Sequence, residues 1–212
     1  MKIKTFVFNP FYENTLVLSS SERNCLVFDP GCYESFEINE LTNYIETEEL
    51  SVVAIINTHC HIDHVLGNEA IKIKYNVSLR IPENEKEVYA SMPTFAPHWG
   101  IMGYRHAEVD TYLSDENALE LDELKLEMIE VPGHSPGHLM FYCKKENFII
   151  GGDVLFRESI GRTDLPGGNH QALVNNIKEK VYVLPEEVVV HPGHGPTTTI
   201  GHEKRNNPFV RG

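Results

Sequence analysis

Residues 58–68 read THCHIDHVLGN, and four side chains that bind metals readily fall within six positions of this stretch, namely His59, His61, Asp63 and His64. Imidazole nitrogens and carboxylate oxygens are ligands that Zn²⁺ and related divalent ions take in proteins. His59 and His61 are two positions apart, so an extended chain points both side chains to one side, whereas adjacent Asp63 and His64 are expected to diverge. The stretch therefore predicts ligands for two metal ions rather than for one.

Three more groups of metal-binding residue types follow predicted strands farther along the chain. VPGHSPGH follows LKLEMIEV, GGDVLF follows NFII, and HPGHGP follows EEVVV. Ligands and catalytic groups are often carried on loops that rigid strands fix in place. Burying so many polar groups without partners would cost several kcal/mol. The pattern therefore favours a metal site over structural packing, and it adds the candidates His134, His138, Asp153, His191 and His194.

Isolated histidines and the cysteines are given structural roles. A lone histidine is more often a surface residue or a satisfied core residue than a ligand. We assign that role to His98, His106, His170 and His202. Cys60 lies on the opposite face from its neighbouring histidines, which predicts packing. The four cysteines show no CxxC spacing and are expected to be free thiols, at Cys25, Cys32, Cys60 and Cys143.

The elements that position these residues are predicted as a mixture of strands and helices. Apolar runs favour strands at KTFVF, NTLVLSS, NCLVFDPG, SVVAIINT, VSLRIP, NALEL, LKLEMIEV, HLMFYCKK, NFIIGG and EEVVV. Helical spacing favours helices at residues 35–48 with Ser35 as the cap, and in VLGNEAIKIKYN, ENEKEVYASM and HQALVNNIKEKVYVL. Residues 93–108 are predicted to form a surface loop. No linker or repeat divides the chain, so residues 1–212 are predicted to form a single domain.

Composition argues against several classes of partner. The chain carries 18 Lys and Arg against 31 Asp and Glu, a formal net charge of -13. This charge disfavours broad electrostatic binding to nucleic acid or to an anionic membrane. The first apolar run stops at Asn9, and no stretch reaches the roughly 20 apolar residues of a membrane span. With free thiols and no export signal, we expect a cytoplasmic protein without nucleic-acid or membrane partners.

In order along the chain, THCHIDH, VPGHSPGH, GGDVLF and HPGHGP resemble the metal motifs of the metallo-β-lactamase superfamily. The resemblance spans nearly the whole chain and implies an α/β (α+β) fold. That fold is a four-layer αββα sandwich of two mixed β-sheets with helices on both outer faces. The resemblance also implies two metal ions, one bound by His59, His61 and His134, the other by Asp63, His64 and His194, with Asp153 as the bridge. Since β-lactamases commonly carry Cys where Asp153 stands, antibiotic hydrolysis is not expected.

The stretches LFRESIGRTDLPGG and HPGHGPTTTIGHEKRNNPFV are most similar to short glyoxalase II-type thioesterases, the hydroxyacylglutathione hydrolases. This implies hydrolysis of a small-molecule thioester such as S-lactoylglutathione by a hydroxide that bridges two divalent ions, with zinc favoured over iron or manganese. Asp63 and Asp153 would orient that hydroxide, and Arg162 would contact a substrate carboxylate. Larger glyoxalase II enzymes carry a C-terminal glutathione-binding domain, whereas 18 residues follow His194 here. Thioester hydrolysis is therefore expected, and the thiol is left open.

Alternatives stay open from the sequence. Persulfide dioxygenases share the fold and the seven ligand positions but use a single iron, so the motifs do not separate the two activities. A phosphodiesterase or nuclease would use the same two-metal centre, but the charge of -13 disfavours it. A non-catalytic metal-binding protein is disfavoured by the complete ligand set. For Arg162 the alternative is a surface ion pair with Asp164, and the sequence gives no prediction of oligomeric state.

Overall fold

The computed structural model describes residues 1–116 and 118–211, and the chain forms two compact units. Unit 1 comprises residues 1–113 and 121–123, and unit 2 comprises residues 114–120 and the chain from residue 124 onward. Each is built on a six-stranded mixed sheet with helices. That residues 1–212 act as one domain stays a prediction.

Six strands form the sheet of unit 1, in chain order across the sheet: β1 (Lys2–Phe8), β2 (Glu13–Ser19), β3 (Asn24–Phe28), β4 (Ser51–Ile56), β5 (Ser78–Pro82) and β6 (Thr111–Leu113). β1, β2 and β3 are antiparallel neighbours, while β3 to β6 run parallel. β2 is buried along its whole length, and its apolar residues Leu16, Val17 and Leu18 are consecutive, as expected for a strand buried on both faces. β6 was not predicted because three residues are too few to show a period.

Four α-helices belong to unit 1, namely α1 (Ser35–Thr47), α2 (Ile62–Val65), α3 (Asn68–Tyr75) and α4 (Lys86–Phe95). The predicted cap of α1 is wrong, because the N-cap is Glu34 and Ser35 is already helical. The reason is a capping box in which Glu37 accepts the backbone N–H of Glu34 at 2.9 Å and that of Tyr33 at 2.7 Å. A carboxylate in the first turn also suits the helix dipole.

The loop predicted at residues 93–108 begins too early. α4 continues through Pro93 to Phe95, and a 3-10 helix follows at Ala96–Trp99. Pro93 lies in the last turn, so it removes one backbone hydrogen bond while Tyr89 and Met92 on the same helix stay buried. Residues 100–108 have no helix or strand, as predicted.

Unit 2 carries the second sheet and a short hairpin. Its strands are β7 (Ala118–Leu121), β8 (Leu124–Glu130), β9 (Leu139–Cys143), β10 (Phe148–Gly152), β11 (Leu155–Phe156), β12 (Ser159–Ile160), β13 (Val189–Pro192) and β14 (Thr198–Thr199). Across the sheet the order is β14-β13-β10-β9-β8-β7, and β11 pairs only with β12 among the described residues. β10 and β13 are parallel, whereas β9 is antiparallel to both β8 and β10. The first residue of the predicted strand NALEL, at position 117, lies outside the described residues.

Two α-helices complete unit 2, α5 (His170–Asn176) and α6 (Ile200–Asn206). The helix predicted at residues 170–184 is shorter, because α5 gives way to a π-helical turn at Ile177–Val181. α6 was not predicted, since its buried face is formed by Ile200, Gly201 and Glu203 and so lacks an apolar period. Among the described residues we find no helix with the length and apolar character needed to span a membrane.

The start of α5 gives a test of local stability. The side chain of Asn169 accepts the backbone N–H of Ala172 at 3.0 Å. We expect Asn169→Ala to lower the free energy of unfolding by about 1 kcal/mol, because that N–H loses its acceptor. Urea denaturation followed by circular dichroism measures the change. The control His170→Ala alters an exposed neighbour, and an equal loss in both variants would argue against the cap.

Candidate metal centre

In unit 1, the candidate ligands follow two strands that end side by side. Asp29 directly follows β3, and its backbone N–H donates to the carbonyl of Ile56, the last residue of β4, at 2.9 Å. The carboxyl ends of parallel strands lie at the same edge of a sheet, where ligand sites are common. The chain then leaves β4, bends at Thr58 and His59, and enters α2 with His61 at the N-cap.

The side chains of this loop converge. The ring centroid of His59 lies 4.8 Å from that of His61 and 4.1 Å from that of His64. The Nε2 atom of His64 is 3.6 Å from Oδ2 of Asp63. The divergence expected for these adjacent residues is therefore wrong, because side chains on a helix tilt back towards its N-terminus. His59 and His64 are fully buried, so their polar atoms require partners.

Asp29 supplies the partner of His64, and the sequence analysis missed it. Its Oδ1 accepts the backbone N–H of Thr58 at 2.7 Å, and its Oδ2 accepts the Thr58 hydroxyl at 2.7 Å. The same Oδ2 lies 3.1 Å from Nδ1 of His64. A carboxylate there favours a proton on Nδ1 and leaves Nε2 as the ligand atom. The one available signal was the FDPG sequence, an acidic residue placed directly after a buried strand.

Thr58 orients the second buried ring. Its hydroxyl oxygen lies 3.0 Å from Nδ1 of His59. Because that hydroxyl donates its single proton to Asp29, it accepts from Nδ1–H of His59. The Nε2 atom of His59 then carries no proton and has a lone pair that could bind a metal ion.

Two further side chains fix the backbone of the loop. Asn9 donates from Nδ2 to the carbonyl of Asp63 at 3.0 Å, and Glu85 accepts the backbone N–H of Cys60 at 3.0 Å. The Cys60 thiol is fully buried, and this burial raises its pKa well above the usual range. The packing role predicted for Cys60 agrees with this position, and all four cysteines are free thiols, as predicted.

In unit 2, one carboxylate links two histidines that come from different loops. Asp153 follows β10, His134 follows β8, and His194 follows β13. The Oδ2 atom of Asp153 lies 3.5 Å from Nε2 of His134 and 3.5 Å from Nε2 of His194. The Nδ1 atom of His134 lies 2.7 Å from the carbonyl oxygen of Arg162 and donates to it. His134 therefore also presents Nε2 towards the carboxylate.

His138 and Gly161 maintain this arrangement. The Nε2 atom of His138 accepts the backbone N–H of Asp153 at 2.9 Å, so this buried ring positions Asp153. At Gly161, an added Cβ would lie 1.9 Å from the carbonyl oxygen of Asp153 and 3.0 Å from Nδ1 of His134. Only glycine allows this close approach, so the GRTD stretch begins with a residue that the site requires.

Other predicted candidates lie outside these groups. His191 on β13 faces the ring of Phe148, with 6.0 Å between ring centroids. His98, His106 and His170 are exposed, and His202 contacts Glu158 at 3.0 Å. The guanidinium of Arg162 forms two hydrogen bonds of 2.7 Å with Asp164, which is the alternative pairing considered for it. The predicted role of Arg162 in substrate binding stays a prediction.

His191 gives a prediction about pH. Burial lowers the pKa of its imidazole from 6.5 to about 4, so the folded protein binds this proton less tightly than the unfolded chain does. The contribution of the neutral His191 ring to stability is complete above the pKa that the ring has in the unfolded chain. It is lost as the pH falls from about 6.5 towards 4. We expect urea titrations of metal-free protein to show a smaller loss of stability in this window for His191→Leu than for the parent. The control His170→Leu should behave like the parent, and identical pH profiles for all three proteins would contradict the assignment.

Asp29 gives a prediction about metal affinity. We expect Asp29→Asn to weaken zinc binding by about 10- to 100-fold with the fold retained, because the charge beside Nδ1 of His64 is lost. Competition with a chromogenic chelator measures the affinity. The matched control is Asp110→Asn, which removes an exposed carboxylate that pairs with Lys72. Unchanged affinity in Asp29→Asn would contradict the orienting role.

Comparisons with known proteins agree with this geometry. The family model of the Metallo-beta-lactamase superfamily matches residues 8–194. "Probable metallo-hydrolase YqgX" of Bacillus subtilis is 37% identical over 217 residues, covering 100% of this chain and 99% of that protein. "Hydroxyacylglutathione hydrolase GloC" of Haemophilus influenzae is 33% identical over 214 residues, covering 99% of this chain and 98% of that protein.

Solved structures match over similar lengths. The "BLEG-1 B3 metallo-beta-lactamase" superposes with a TM-score of 0.91 at 33% identity, covering 100% of both chains. "TTHA1623 in a di-iron-bound form" superposes with a TM-score of 0.85 at 33% identity, covering 98% of this chain and 100% of that one. The predicted fold class, two mixed sheets with helices, is confirmed. The chain belongs to the metallo-β-lactamase superfamily, a family of metal-binding hydrolases.

Proposed function

We propose that the protein hydrolyses a small-molecule thioester at a centre of two divalent metal ions. The proposed ligands are His59, His61 and His134 for one ion, Asp63, His64 and His194 for the other, and Asp153 as the bridge. The observation that carries the proposal is the position of Asp153. Its single Oδ2 atom is equally distant, at 3.5 Å, from Nε2 of His134 and Nε2 of His194, which serve different ions in this assignment.

The spacing of these atoms suits divalent ions. Two ligand atoms bound to one tetrahedral zinc lie roughly 3.4 Å apart when each is about 2.0–2.2 Å from the metal. The carboxylate-to-imidazole distances of 3.5, 3.5 and 3.6 Å are close to this value. The nitrogen and oxygen donors suit zinc, iron or manganese. We propose zinc, and we keep iron as the alternative because the relative TTHA1623 has a di-iron-bound form.

The chain's own groups have distinct tasks in the proposed reaction. The bound ions would supply an ionised water and an electrophile for the thioester carbonyl. Asp63 and Asp153 would accept the remaining proton of that water in a hydrogen bond and so orient its lone pair. Two divalent ions outweigh the charges of these two aspartates, which leaves a small positive centre in a chain of net charge -13. Such a centre stabilises the oxyanion that forms on the thioester carbonyl.

A thioester is the proposed substrate class because GloC, a hydroxyacylglutathione hydrolase, is similar over nearly its whole length. Arg162 is proposed to bind a substrate carboxylate. Its guanidinium already binds the carboxylate of Asp164 in the two-bond geometry that a substrate would need, and it lowers the pKa of that carboxyl to about 2. A substrate carboxylate would replace Asp164, an exposed side chain, at little cost in desolvation. Cytoplasmic location and the lack of nucleic-acid or membrane partners stay predictions.

A second candidate function is β-lactam hydrolysis, which the presence of Asp153 led us not to expect from the sequence. It is favoured by the similarity to BLEG-1, a B3 metallo-β-lactamase, over the full length of both chains. The same centre would attack an amide carbonyl in place of a thioester. A thiolate leaves more readily than an amine, so we place the thioester first.

The proposal is tested by measuring metal content together with a substrate panel. We expect zinc-loaded protein to contain two ions per chain by elemental analysis and to hydrolyse S-lactoylglutathione or a related acyl thioester. The panel adds a chromogenic cephalosporin, and glutathione persulfide with oxygen uptake as the readout. One iron per chain with oxygen consumption would replace the proposal with a dioxygenase. Faster cleavage of the cephalosporin would establish the second candidate.

Asp153→Ala tests the bridge directly. We expect a folded protein that has lost most of its bound metal and most of its activity, because this carboxylate contacts ligands of both ions. Circular dichroism and metal analysis measure the two properties. His202→Ala, which alters a histidine outside the centre, should retain metal and activity. A fully metallated, active Asp153→Ala protein would remove the basis of the assignment.

A further inference from the structure

The C-terminal segment of unit 2, residues 198–210, has no part in the proposed ligand set. It nevertheless contains two polar side chains, Glu203 and Asn207, that are fully buried. A buried carboxylate is costly unless several donors satisfy it. The contacts of these two side chains therefore indicate what the segment does.

Glu203 and Asn207 together fix two consecutive residues of the β11–β12 hairpin. Glu203 accepts the backbone N–H of Glu158 at 2.9 Å, the side-chain amide of Asn207 at 2.8 Å, and the hydroxyl of Thr198. The Asn207 amide also donates to the carbonyl of Ser159 at 3.0 Å. Leu155 and Ile160 pack the hairpin into the core of unit 2, and these bonds from Glu203 and Asn207 fix the turn and the start of its second strand.

The hairpin connects Asp153 to the segment whose backbone contacts His134. It follows Asp153, and it leads into Gly161 and Arg162. The carbonyl of Arg162, three residues beyond Ser159, accepts Nδ1–H of His134 at 2.7 Å. Gly161 is packed so closely against Asp153 and His134 that a shift of the segment by a few tenths of an ångström would change this bond.

We infer that Glu203 and Asn207 are positioning residues that act on His134 through the hairpin. By fixing Glu158 and Ser159, they place the Arg162 carbonyl, which in turn sets the tautomer and direction of the His134 ring. The inference deepens the proposed function, because it rests on His134 being a metal ligand. Its first observable, the hydrogen bond from His134 to Arg162, belongs to the metal-free protein and needs no substrate.

The test uses Glu203→Gln, which retains the shape of the side chain but replaces one acceptor oxygen with a donor. The Nδ1 proton of His134 is followed by NMR in metal-free protein with labelled histidine, assigned with His134→Gln. We expect this proton to exchange with solvent about tenfold faster in Glu203→Gln, and zinc affinity to fall about tenfold. The kcat for thioester should also fall, because the proposed ligand His134 is held less firmly.

The matched control is His202→Ala. His202 is the neighbouring residue on α6 and contacts the same hairpin residue, Glu158, but through its partly exposed side chain at 3.0 Å. We expect His134 exchange and zinc affinity to be unchanged in this control. Equal changes in both variants would overturn the inference, because any disturbance of the hairpin would then have the same effect.

The remaining outcomes are also decisive. A folded Glu203→Gln with lower stability but unchanged His134 exchange and zinc affinity would show a structural role alone and overturn the inference. If Glu203→Gln does not fold, Thr198→Val removes a single donor to Glu203 and should give the same changes at smaller size. If the parent hydrolyses no thioester, the proposed function fails, while the exchange and affinity measurements still decide the inference.

Discussion

The candidate ligands of each unit depend on one constraint, which is that a buried imidazole must hold its Nε2 atom in a fixed direction. A ring in a buried site does this only when an acceptor fixes its Nδ1–H. The structure supplies a different acceptor for each of three rings: the Asp29 carboxylate for His64, the Thr58 hydroxyl for His59, and the Arg162 carbonyl for His134. The orientation of these rings therefore derives from groups outside the proposed ligand set.

In each unit, a buried glutamate fixes an irregular segment beside the candidate ligands. In unit 1, Glu37 on α1 accepts the backbone N–H of Asn9 at 2.6 Å, and Asn9 in turn donates to the carbonyl of Asp63. In unit 2, Glu203 on α6 accepts the backbone N–H of Glu158. A buried carboxylate suits this task because it accepts several hydrogen bonds from chain segments that no sheet orders. The acidic composition thus includes carboxylates that organise the fold.

The sequence predicts the ligand candidates better than it predicts their support. His59, His61, Asp63 and His64 are recognisable because chemistry demands those residue types at close spacing. The acceptors are not recognisable in the sequence. Every residue has a backbone carbonyl like that of Arg162, and the role of Asp29 depends on how β3 and β4 are paired. Most long strands and helices followed from apolar periodicity, whereas β6 and α6 did not. Three residues show no period, and a helix that buries Gly201 and Glu203 has no apolar face to detect.

Arg162 combines the orientation of His134 with the proposed recognition of a substrate carboxylate, and the two roles remain separable. Its carbonyl orients His134, while its exposed guanidinium pairs with Asp164. The first task uses the backbone and does not depend on the side chain, so the side chain is open to change without loss of the metal ligand. The second task depends on the guanidinium alone, which recognises a carboxylate by charge and by planar geometry. In the proposed function, the metal centre would therefore stay constant while the residue at position 162 would alter which acyl compound is bound.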